Sequence, residues 1–137
     1  MPFRFEFDAA HGLLAARLSG KLSDDVLLTF SRNVAFVIER YDVRAGIFDF
    51  TEVTDVDLST TIVQRLATML PTLPGSTPRA IVAPNDLLFG LSRMLKSLSA
   101  EKRQGLQIVR TERAALDYLG IRGELQFVTL ASPDALT

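Results

Sequence analysis

A chain of 137 residues, 47% of them hydrophobic and 23% charged, supplies one ordinary globular domain, which buries roughly two-thirds of its unfolded surface. A formal net charge of -1 excludes the basic footprint of a nucleic-acid binder or of a protein held on an anionic membrane. Cysteine is absent, which excludes disulfides, thiol nucleophiles and thiolate metal sites together.

The start, Met1-Pro2-Phe3-Arg4-Phe5-Glu6, is charged early and lacks the apolar core of a signal peptide. No apolar stretch approaches the ~20 residues of a membrane helix, so a cytoplasmic location is the default expectation. Phe3, Phe5 and Phe7 alternate with Arg4, Glu6 and Asp8, the period of a half-buried strand. Ala9 to Gly12 turns the chain, and Leu14, Ala16 and Leu18 form a second strand with Arg17 outward. Ser19-Gly20-Lys21 is expected to break that strand. Ser23 then caps a helix whose first turn places Asp24 and Asp25 on the positive end of the dipole.

That helix is expected to reach about Arg40, with Leu27, Phe30, Val34, Val37, Ile38 and Tyr41 on one face. Ala45-Gly46-Ile47-Phe48 is apolar on both sides, as in a central parallel strand covered by helices. Thr51 to Asp57 reads as an acidic, hydroxyl-rich turn. A helix follows it, with Ile62, Leu66, Met69 and Leu70 as its stripe, Val63 and Ala67 beside it, and Ser59 or Asp57 as its cap. Pro71 to Pro78 is a loop. Arg79 to Pro84 is the next buried strand, and Asn85 and Asp86 offer caps for a helix with Leu87, Leu91, Met94, Leu95 and Leu98 inward and Phe89 opposite. Leu106 to Val109 is a strand. Thr111 caps a last helix with Ala114, Ala115, Leu116 and Leu119 inward and Gly120 as its left-handed stop. Glu124 to Leu130 has the composition of an added edge strand, and Ser132 to Thr137 that of a frayed tail.

Hairpin, helix, then repeated strand and helix give an α/β fold with a mixed sheet. Right-handed crossovers place the loops after Phe50, Pro84 and Arg110 at one end of it. A leading hairpin, Gly20 before a capped helix, and Asp49-Phe50-Thr51-x-Val53-x-x-Val56-Asp57-x-Ser59 together resemble the STAS domain of anti-anti-sigma factors. Val82-Ala83-Pro84, Phe89 to Met94 and Tyr118-Leu119-Gly120 extend the likeness to the SpoIIAA-like (STAS/SEC14-type) bacterial family, over Phe3 to about Gly120. The resemblance implies a serine beside an aspartate, phosphorylated by a partner kinase, at the strand-to-helix turn. The matching segment here is Asp57-Leu58-Ser59-Thr60. Leu58 holds the slot after the aspartate and accepts no phosphate, which leaves Ser59 and Thr60 as candidate phosphoacceptors. By fold analogy alone, the second family name implies binding of small apolar molecules.

Asp49, Glu52, Asp55 and Asp57 form an acidic cluster that is conceivable for a hard cation, but the expected reading is a solvated turn with one capping acid, and no metal is expected. His11, the single histidine, has neither a second imidazole nor an evident nucleophile near it, so no triad is expected. Pro74-Gly75-Ser76 lacks the lysine of a phosphate loop. The expectation is a non-enzymatic module without cofactor, a STAS-like domain over 1–120 with an extension over 121–137. Its partner is either of two kinds. One is a protein, met at the turn 51–61 and the helix start 85–93 through Asp57, Leu58, Ser59, Thr60, Phe89 and Arg93. The other is a small apolar ligand carried between helices and sheet. A cavity of roughly 300 Å3 or more lined by Leu, Phe and Met favours the carrier, and a filled core with Leu58 and Phe89 exposed favours the protein. Leu28 and Phe36 lie off the buried face of the first helix. They point to a homodimer there, or to cover by the C-terminal segment.

Overall fold

A computed structural model of the chain describes residues 2–69, 71 and 73–133. Leu70 of the expected stripe, Thr72 of the expected loop and residues 134–137 of the expected tail lie outside the described residues. Among the described residues, six strands and four helices follow in the order β1 (Phe3–Asp8), β2 (Leu13–Ser23), α1 (Asp24–Ile38), β3 (Ala45–Asp57), α2 (Thr60–Thr68), β4 (Arg79–Val82), α3 (Asp86–Leu98), β5 (Leu106–Val109), α4 (Glu112–Leu119) and β6 (Val128–Leu130). They build one mixed sheet in the order β5-β4-β3-β2-β1-β6. The pairs from β2 to β5 are parallel, and β1 runs antiparallel to both of its neighbours. The fold class is therefore α/β. No described helix is long and apolar enough to cross a membrane.

The topology decides where the helices go. β2, β3, β4 and β5 add in one direction, so right-handed crossovers put α1, α2 and α3 on the same face. Under them lies the larger core, with Phe3, Phe5, Leu14, Phe30, Phe50 and Ile81 among its buried members. The opposite face holds Leu13, Ile47, Ala80 and Val82, covered by Ala115 of α4 and by Leu125 and Phe127. Side-chain caps start each helix as expected: Ser23, Ser59, Asn85 and Thr111 each accept a backbone N–H from the first turn. Gly120, at φ 69°, ends α4 as expected.

Residues 51–57 are not a turn. They are the second half of β3, paired only with the end of β2, because the β3–β4 pairing stops at Asp49 and Val82. Gly20 does not break β2 either, which runs on to Ser23. The β2–β3 register shifts twice, between Arg17 and Ser19 and between Gly20 and Lys21, each time with one extra residue on β3. Gly20 adopts φ 76° at the second shift, a backbone that favours glycine. A parallel two-stranded ribbon thus extends beyond the sheet. It brings the starts of α1 and α2 together, since Ser23 lies opposite Asp57.

The inward face of α3 also differs from the expected one. Leu87 and Leu98 are exposed, at 56% and 52%, while Leu88 and Ser92 are buried. The inward stripe is Leu88, Ser92, Leu95 and Ser99: Leu95 lies inward as expected, and the other three each stand one position on from Leu87, Leu91 and Leu98. α1 ends at Ile38 rather than Arg40.

After Gly120 the chain joins the same sheet. The expected strand over 124–130 is shortened to Val128–Leu130, paired to β1 with Phe5 opposite Leu130. The Gln126 N–H donates instead to the buried Asp8 carboxylate at 2.8 Å. Asp8 also accepts the His11 N–H at 2.9 Å and faces His11 Nδ1 at 3.0 Å, so it ties the hairpin turn to the C-terminal segment. The backbone N–H groups of Gln126 and His11 hold the Asp8 carboxyl below its usual range. A folded value below the unfolded one means stability present above about pH 4 and lost as the pH falls through the folded value. On acidification the β6 segment is expected to loosen first. The Gln126 amide signal in NMR should follow the Asp8 carboxyl, and Asp8→Asn should remove that response.

Candidate functional site

The strand-to-helix end, where the sequence places its candidates, is a set of structural contacts. Asp57 ends β3, exposed, with Lys21 at 4.0 Å. Leu58 is half-buried and packs on the larger core, so it is not a free apolar knob. Ser59 caps α2: its Oγ accepts the Ile62 N–H at 3.1 Å and donates to Asp24 at 2.7 Å, while its N–H donates to the same carboxylate at 3.0 Å. Asp24 therefore sits between two helix N-termini, where its charge is favoured. A phosphate on Ser59 would meet that carboxylate. Thr60 is exposed as the first residue of α2.

Phe89 is half-buried against the core, with the Arg110 guanidinium 4.0 Å from its ring centre. Arg110 is held there by Asp86 at 2.9 Å. Arg93 is exposed and makes no ion pair among the described residues. No hydrogen bond or ion pair among the described residues joins the Ser59 group to the Phe89 group.

Arg17 is not outward. The face of β2 opposite Leu14 and Ala16 is covered as well, and the Arg17 side chain is 12% exposed. It binds Glu6 at 2.6 Å, Asp49 at 2.8 Å and Glu112 at 2.7 Å, with Phe127 alongside. Burial alone lowers a guanidinium, but the hydrogen bonds to Glu6, Glu112 and Asp49 raise Arg17 above the usual range. Asp49 also accepts the Thr51 N–H at 2.9 Å. The expected acidic cluster is thus divided: Asp49 is buried in this network, and Glu52, Asp55 and Asp57 are exposed on the ribbon.

An unfilled space lies elsewhere. α1 packs over β2 and α2 packs against α3, which leaves part of the sheet between them uncovered. There a half-open cavity of about 460 Å3 has Phe48, Phe50 and Ile81 as its floor. Leu27, Leu28 and Ala35 of α1 form one wall, and Leu66 and Met69 form the other. Arg79 and Arg103 line the end where β4 and β5 begin, opposite the end that carries the turn 51–61. None of Asp57, Leu58, Ser59, Thr60, Phe89 or Arg93 lines the cavity. Leu28, expected at a dimer contact or under the C-terminal segment, is a cavity wall. Phe36 is covered by its own neighbour Arg40, whose guanidinium lies 3.4 Å from the ring centre. The C-terminal segment packs on the other face of the sheet, beside α4.

Arg79 is 4% exposed and donates to the carbonyls of Thr77 and Pro74. Arg103 donates through Nη2 to the Leu66 and Met69 carbonyls at 3.1 and 3.4 Å. Its Nη1 is buried without a hydrogen-bond partner among the described residues. Sequence reasoning missed both. The available signal was Arg79 at the head of the apolar run Ala80-Ile81-Val82-Ala83.

No protein-family model matches the chain, and no curated protein matches it.

Proposed function

We propose that the chain is a non-enzymatic, STAS-like binding module that holds a small apolar ligand in the cavity between α1, α2 and the sheet. The observation that carries this is the cavity itself. Its volume of about 460 Å3 falls in the ~300–1,000 Å3 range of small-molecule sites, and leucine, phenylalanine and methionine supply half of its lining residues. Support for the STAS-like relationship comes from the resemblance of the motifs and from a mixed sheet that opens with a hairpin. Leu58 and Phe89 are both part-covered, which weighs toward the carrier rather than a protein surface built on them. The lone histidine is bound up with Asp8 in the hairpin turn, in keeping with a non-enzymatic role.

A second reading keeps the protein partner. Along Thr51–Asp57, β3 is paired on the β2 side only, and an open strand edge is a place where another chain adds a strand. Native mass spectrometry of the protein purified from its source tests both. A small mass that is retained under native conditions and lost on denaturation is the expected result. A protein-sized adduct on a ligand-free chain would favour the ribbon edge instead.

A further inference from the structure

The arginines of the cavity contrast with Arg17. Arg17 is surrounded by three carboxylates, from Glu6, Asp49 and Glu112. Arg79 and Arg103 make no ion pair among the described residues, and their partners are neutral carbonyls. Arg32 and Arg65, both exposed, also line the cavity, and among the described residues no aspartate or glutamate does. A chain of net charge -1 thus gathers four arginines round one apolar space, with no acid there among the described residues. Burying a cation without a counter-ion is unfavourable, so such an arrangement is complementary to an anion that comes from outside. Burial, and then the Arg103 charge, push the Arg79 guanidinium down, and burial does the same to Arg103, the reverse of Arg17.

We propose that the ligand is an amphiphilic acid, with an alkyl tail against Phe48, Phe50 and Leu66 and an oxyanion headgroup between Arg79 and Arg103. This rests on the reading of the cavity as a ligand site and adds the charge of the ligand to it. Arg103, a lining residue with a guanidinium nitrogen that no described residue engages, donates to the headgroup, and a charge-assisted pair of this kind is about twice as strong as a neutral one. Carboxylate and phosphate monoester are the two oxyanions such a pair accepts.

Calorimetric titration of the full chain with octanoate, octyl phosphate and octanol tests this. These probes share one tail and differ in the headgroup. At least one of the two acids is expected to bind about tenfold or more tightly than the alcohol. Arg103→Gln should weaken the acids several-fold more than it weakens octanol and so narrow the gap between them. Because octanol also reports whether the variant's cavity is intact, a misfolded variant would be recognised by its loss. Equal binding of all three probes to the wild type would overturn the anionic ligand and leave the apolar site standing. Binding of none would overturn the apolar site as well.

Discussion

Phe30→Ala is expected to destabilise the protein by about 3–5 kcal/mol, the range for deleting a buried aromatic ring. Phe30 is the point where α1 meets the sheet. Its ring stacks on Phe5 at 5.9 Å and 12°, tilts against Phe3 at 5.9 Å and meets Phe50 edge-on at 6.2 Å. These contacts join the hairpin, the first helix and the central strand, and aromatic pairs add about 0.5–1.5 kcal/mol beyond the area that they bury. Phe30 also borders the cavity, so alanine there adds to an existing space. Thermal unfolding followed by circular dichroism should show a midpoint lower by roughly 10–20 °C. A shift of a degree or two would mean that the four rings do not hold the layers together.

Arg17→Met leaves Glu6, Asp49 and Glu112 without their common cation, and breaking a buried ion cluster from one side costs about 3–5 kcal/mol. The Glu112 side chain is 41% exposed, so water screens part of the repulsion and the lower end of that range is expected. The sign of the pH dependence follows from the charges. Without Arg17 three like charges are left together in one partly buried site. The repulsion is full where the carboxylates are ionised and fades as acid protonates them. Urea unfolding should therefore show a smaller gap between variant and wild type at pH ~5 than at pH ~7. An equal gap at both would remove electrostatics as the cause.

Local signals were legible in the sequence where one residue decides one geometry. Ser23, Ser59, Asn85 and Thr111 cap as their side chains predict, and Gly120 stops α4 as glycine does. The ribbon was not legible, for a physical reason. Each extra residue on β3 advances the inward position by one, so the inward set runs Phe48, Phe50, Val53, Val56 instead of alternating. A step of three between apolar residues does not read as a strand. Register shifts depend on the neighbour β2, which local patterning does not contain. Arg17 was misplaced because alternation gives the side of a strand but not what covers that side. In α3 the leucines are frequent enough to mark two overlapping stripes, and packing on the sheet selects the one through Leu88 and Ser92.

The candidate site divides in the same way. The turn 51–61 and the helix start 85–93 were identifiable because caps, acids and aromatics are local features. The cavity depends on the distance between α1 and α2, which follows from how three crossovers share one face of the sheet. Its arginines lie far apart in sequence, at 79 and 103, and meet only because β4 and β5 begin side by side.

Ala35 decides whether the cavity is the site. It lies on the α1 wall, and a tryptophan there would take up the space without touching Arg79 or Arg103 in sequence. Octanol titrated into wild type and Ala35→Trp by calorimetry, with folding of both checked by circular dichroism, is the direct measurement. The expected result is binding to the wild type and a loss of about tenfold or more in the variant. Equal binding to both proteins, or no binding to the wild type, would contradict a ligand in this cavity.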